Sequence, residues 1–139
     1  MRSFKFIILL FVSHLSFSQI TLKDINDSKW VASQTLADNK TQSYKLTRVE
    51  ESESYQYGSF ITFSEGKFSL FYTAECGNDC FWSYGGKYEI VDYKKLVLDF
   101  ENYNQIGECK TIRKKYKVNE LKPEFTAKWF GDTLVLIRN

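Results

Sequence analysis

Three apolar stretches alternate with polar residues on both sides of a short turn, and in each the two halves agree on which face is apolar. In Phe60-Ile61-Thr62-Phe63-Ser64-Glu65-Gly66-Lys67-Phe68-Ser69-Leu70-Phe71-Tyr72, a two-residue turn at Glu65-Gly66 sets Phe63 opposite Phe68 and Ile61 opposite Leu70. A turn at Gly131-Asp132 sets Trp129 opposite Leu134, Ala127 opposite Leu136 and Phe125 opposite Arg138, so apolar residues meet except at Arg138. Between these hairpins, a three-residue loop at Asp92-Tyr93-Lys94 puts Ile90 across from Leu96 and Tyr88 across from Leu98. A two-residue loop would send the partners to opposite faces.

Further strands are predicted over Lys29–Leu36, Tyr44–Val49 and Thr111–Val118, and helical periodicity is confined to a single turn at Leu22–Ile25. About eight short antiparallel strands in one small domain must close on themselves to hide their edges. Short hairpin connections favour an all-β, single up-and-down barrel, with a short N-terminal helical turn, over a sandwich with longer crossings.

Met1 to Ser18 has the form of a secretory signal peptide: Arg2 and Lys5, then the apolar run Phe6 to Val12, then Ser16-Phe17-Ser18. The division expected is therefore 1–18 signal peptide and 19–139 barrel domain, a mature chain of 139 − 18 = 121 residues that is exported to the periplasm or medium. Processing leaves 17 basic and 17 acidic residues, since it removes two of the 19 Lys plus Arg and none of the 17 Asp plus Glu. It also removes His14 and Met1, the only His and Met. Schemes built on imidazole then fall away, and so do His-based zinc sites, so neither catalytic residues nor a cofactor or metal is expected. Balanced charge argues against nucleic acid. No later segment is long and apolar enough to insert in a membrane, and a monomer is expected.

The mature chain keeps 8 Phe, 9 Tyr and 3 Trp, a composition suited to pleated, half-buried surfaces. Parity turns Phe63 inward, and with it Tyr44, Tyr72, Trp82, Tyr84, Tyr88 and Phe100. Lys114 shares parity with Ile112, Tyr116 and Val118, so an unbroken strand would aim its ammonium into the barrel, as an anion-recognition group. A bulge or a position at the rim would turn it outward. If the interior holds a cavity, a flat apolar or weakly acidic ligand would meet Tyr44, Tyr72, Trp82, Tyr84, Tyr88, Phe100 and Tyr116, with Lys114 orienting it. Arg113, Lys115 and Lys117 alternate onto the outer face.

Cys76, Cys80 and Cys109 are the three thiols. In an exported chain a disulfide is expected, and the connections before Trp82 and after Phe100 open at one barrel end. Cys109 should therefore bond either Cys76 or Cys80. Gly77-Asn78-Asp79 is predicted to form a tight turn.

The chain resembles the small bacterial lipocalin-like families of the calycin group. The similar features are Trp30 on the first strand, the hairpin Ile61 to Phe68, the Gly-x-Tyr strand Gly86-Lys87-Tyr88, and a last strand ending in Arg138. The resemblance implies that Trp30 lies beneath Arg138 as a structural cation–π pair closing one end. It also implies a non-enzymatic protein that binds a small apolar or weakly acidic molecule. The alternative is an exported interaction or inhibitor protein with a filled interior, meeting a protein partner through loops at one barrel end.

Overall fold

The computed structural model describes residues 22–49, 57–75 and 78–139. The expected signal peptide, the acidic segment 50–53, Cys76 and Gly77 lie outside the described residues. A 3-10 turn at Leu22–Ile25 precedes nine strands: β1 Ser28–Ala32, β2 Ser43–Arg48, β3 Gly58–Ser64, β4 Lys67–Thr73, β5 Cys80–Asp92, β6 Lys95–Gly107, β7 Ile112–Lys115, β8 Glu124–Phe130 and β9 Thr133–Arg138. Every pairing is antiparallel, in the order β5-β4-β3-β1-β2-β9-β8-β6-β7, and a β5–β6 pairing closes eight of the strands into a barrel. No helix among the described residues is long and apolar enough to cross a membrane.

The hairpin registers are those the sequence predicts. Phe63 pairs with Phe68 and Ile61 with Leu70; Trp129 pairs with Leu134 and Phe125 with Arg138. Ile90 pairs with Leu96 as expected, but through a tighter device. Asp92 already pairs with Lys95, and an irregularity between Ile90 and Asp92 restores the parity.

Strand order departs from a simple meander at one place. β3 to β6, β8 and β9 follow one another, whereas β1 sits between β2 and β3. β2 and β3 therefore run in the same direction. β7 also differs from the wall strand expected over Thr111–Val118. It is short, fully exposed and paired only with the distal part of β6. The cause is a bulge: Gly85 pairs with Asn102 but Gly86 with Phe100, which leaves Glu101 unmatched and redirects β6 away from β8.

Leu46, Ile61, Phe63, Leu70, Leu98, Phe100, Phe125 and Leu136 fill the interior and are essentially inaccessible. The end that carries the hairpin turns is closed by the 3-10 turn, whose Leu22 and Ile25 are fully buried. Three tethers hold it: Tyr88 Oη donates to Asn26 Oδ1 (2.6 Å), Ser64 Oγ to Asp27 Oδ1 (2.7 Å), and Arg48 Nη2 to Asp24 O (3.0 Å).

Trp30 and Arg138 occupy opposite ends and do not pair. Trp30 lies under Arg48, 5.5 Å from its guanidinium, and against Trp129 at 5.8 Å. Arg138 lies over Phe125 and Tyr44 and donates to Leu36 O (2.7 Å) and Asp38 O (2.9 Å). The register explains the separation. Arg138 faces Phe125 at one end of β9, whereas Trp30 faces Arg48 beyond the other end.

Candidate functional site

Beyond the bulge, β5, β6 and β7 form a three-stranded extension at the end opposite the 3-10 turn. Its tip is locked by a disulfide between Cys80 and Cys109, with Cα atoms 5.4 Å apart. This selects one of the two pairings expected from the sequence. Such a bond is compatible with an oxidising, exported location. Gly107 faces Cys80 at φ +110°, and a Cβ there would come within 2.1 Å of Asp79 O, so the tip accepts only glycine at this point.

The ladders place Leu70 opposite Tyr84, Tyr84 opposite Tyr103, and Tyr103 opposite Lys114. Tyr72, Trp82, Tyr84, Tyr103, Gln105 and Lys114 consequently share the concave face that continues the barrel interior. The rings touch in sequence. Tyr72 stacks on Trp82 (6.0 Å, 18°), Trp82 meets Tyr84 edge-on (5.8 Å), and Tyr84 contacts Tyr103 (4.6 Å) and Phe100 (5.5 Å). All of these except Phe100 are only partly buried, so they form a wall and not a sealed core.

The polar groups of this wall sit along its rim. Burial, followed by the neighbouring Tyr116 and Tyr103 hydroxyls, pushes the Tyr84 phenol up to about 12. Burial also raises Tyr103 and Tyr116 above the ordinary phenol value. The three phenols neighbour one another, and of them Tyr116 meets an ammonium: Lys114 Nζ lies 4.2 Å from its ring centroid and 2.7 Å from Glu120 Oε1. The hydrogen bond to Glu120 raises Lys114, and the same bond, together with the Lys117 N–H, lowers Glu120. Tyr72 Oη donates to Asp79 Oδ2 at 3.1 Å, which raises its pKa.

Six of the eight residues expected to bind a ligand belong to this neighbourhood: Tyr72, Trp82, Tyr84, Phe100, Lys114 and Tyr116. Two do not. Tyr44 is fully buried, its hydroxyl donating towards the Asp38 and Thr41 carbonyls beneath Arg138. Tyr88 lies at the turn end against Phe63. Lys114 is exposed and paired at the rim, not aimed into the barrel as an unbroken wall strand would have it, because β7 lies outside the closed ring. Tyr103, Gln105 and Glu120 complete the wall and were not foreseen. Tyr103 was hidden by the bulge, for an unbroken count from the Tyr88–Leu98 pair puts it across from Ser83 on the outer face.

Outside the wall, a groove of about 990 Å3 follows Tyr93, Lys94 and Thr126–Phe130, and one of about 420 Å3 lies between Leu22, Lys23 and Ile90–Tyr93. Both are at the turn end. No group of metal-capable side chains occurs among the described residues, and Cys80 and Cys109 are committed to each other. In comparisons with known proteins, no family model, no curated protein and no solved structure matches the chain.

Proposed function

We propose that this chain is an exported, non-enzymatic, lipocalin-like protein that binds a small, flat, apolar or weakly acidic molecule on the aromatic wall at its disulfide end. The observation that carries the reading is the run Tyr72–Trp82–Tyr84–Tyr103, half-buried on the concave face and bordered by Lys114. Rings in that state supply a large apolar contact area at little conformational cost, and phenols with an ammonium at the border orient a polar edge. The ligand would rest at the mouth, because Phe63, Phe100 and Phe125 occupy the depth of the barrel.

That filled interior favours a second reading, in which the same end meets a protein partner through its loops. The two readings separate in one experiment. Native mass spectrometry of protein purified from its own host should reveal a co-purifying small molecule, and Trp82→Ala should abolish its retention. A clean apo mass, with no thermal shift across a panel of aromatic acids and lipophiles, would reject the ligand reading.

A further inference from the structure

β7 leaves one edge unpaired. The Tyr116 N–H donates to Glu101 O at 2.9 Å, and the register continues with Lys114 opposite Tyr103 and Ile112 opposite Gln105. Main-chain groups alternate along a strand, so those of Ile112 and Lys114 face β6 while the N–H and C=O of Arg113 and Lys115 point the other way. β7 stands at the margin of the sheet and all four of its residues are exposed.

The two residues with outward-facing main chain also carry the cations of the convex face. Across the ladder they meet Asn104 and Asn102, which are uncharged. Two carboxylates bonded to this part of the chain are engaged with other cations, Glu120 with Lys114 (2.7 Å) and Glu101 with Lys87 (3.3 Å). Neither Arg113 nor Lys115 has an ion-pair partner among the described residues. Lys110 and Lys117 extend the positive charge on either side.

We propose that the free edge of β7 is a docking site for an extended acidic segment of another protein, carrying Asp or Glu at alternate positions, which adds as an antiparallel strand. In such a ladder the residues facing Arg113 and Lys115 form hydrogen-bonded pairs with Cα atoms about 5.5 Å apart and side chains on the same face. Carboxylates at every second position then meet both cations while the main chain satisfies the edge. A second copy of β7 does not fit, because cation would oppose cation. The site lies on the convex face and is independent of the aromatic wall.

The test uses the full chain and a short dye-labelled peptide with Glu at every second position and Val or Thr between, read by fluorescence anisotropy at low salt. The alternating peptide should bind, and a peptide of the same composition with its Glu residues in one block should bind at least about fivefold more weakly. Lys115→Pro deletes one donor from the free edge and none of the bonds to β6, and should weaken binding about fivefold. Arg113→Gln with Lys115→Gln should weaken it roughly tenfold with an unchanged thermal midpoint. Equal binding of the two peptides together with indifference to Lys115→Pro overturns strand addition. Failure of the alternating peptide to bind also overturns it, including the case in which an acidic polysaccharide binds instead.

Discussion

Arg48 lies over Trp30 from the neighbouring strand, its guanidinium carbon 5.5 Å from the ring centroid, while its Nη2 reaches past the ring to the Asp24 carbonyl at 3.0 Å. One cation therefore secures both the first wall strand and the turn that seals that end. Trp30→Ala should destabilise by about 3–5 kcal/mol through the cavity it leaves. Arg48→Ala should cost about 1 kcal/mol. A double-mutant cycle by denaturant unfolding should show coupling between Trp30 and Arg48. Trp30 and Arg138, at opposite ends, should be additive within about 0.5 kcal/mol.

Arg138 satisfies two loop carbonyls at once. Arg138→Ala strips their donor in a part-buried site and should cost about 2–3 kcal/mol. Because those carbonyls belong to Leu36 and Asp38, amide hydrogen exchange in the 33–42 connection should accelerate more than in β4 or β5.

Reduction of Cys80–Cys109, or Cys109→Ser, releases a loop with a sequence separation of 29. The chain-entropy treatment gives about 3.5 kcal/mol for a loop of that size, to be read from the shift in denaturant midpoint. Thiol titration of the unfolded, unreduced chain should find one free group, belonging to Cys76.

The Tyr84 phenol is held at about 12, against an ordinary 10.0. Its folded value is raised, so its contribution to stability is complete below the ordinary phenol pKa and is lost as pH climbs through the folded one. Spectrophotometric titration should show a late phenolate component that Tyr84→Phe removes. The acid limb has the opposite sign. Glu120 is lowered by its bond to Lys114, so its contribution exists above about pH 4.5 and disappears as pH falls. Glu120→Gln should weaken that limb and, because the same bond raises Lys114, should also reduce the stability lost as pH climbs through the alkaline range.

Gly86 pairs with Phe100 beside the bulge, and a Cβ there would lie 2.0 Å from Asp99 O and 2.9 Å from Phe68 Cε1. Gly86→Ala should cost about 2–3 kcal/mol or displace β6 from β8, visible as lost ordering of Tyr84 in near-ultraviolet circular dichroism. Gly66, at φ +75° with open space around it, offers the contrast: Gly66→Ala should cost about 1 kcal/mol.

The β3–β4 and β8–β9 hairpins were legible because parity and turn chemistry are local, and a wrong register would have put Phe63 or Leu136 in water. Closure into a barrel followed from counting edges. The place of β1 between β2 and β3 was not legible, since it depends on which of two edges a strand accepts after a longer connection, and nothing within Ser28–Ala32 distinguishes them. The candidate wall was half legible. Parity found Trp82 and Tyr84, but one unmatched residue, Glu101, inverts the faces of everything after it on β6. That is why an unbroken count misses Tyr103, whereas Lys114 keeps its expected parity and takes the rim position, the alternative to an inward one, because β7 lies outside the closed ring. The partner of Trp30 was sought on the last strand, whereas the nearer cation, two residues beyond Leu46 on β2, occupies that role.

The insertion of β1 between β2 and β3 also dictates a timetable. The ribbon from β3 to β6, with β8 and β9, can zip up neighbour by neighbour, yet its two outer margins remain apart until the N-terminal pair bridges them. β2 must find residues 133–137, at the far end of the chain, to complete that bridge. A chain emerging from its N-terminus presents this keystone first and its final seat last, so the ring stays open until almost the whole length has been delivered, and late truncations that spare every core ring would still leave the wall unjoined.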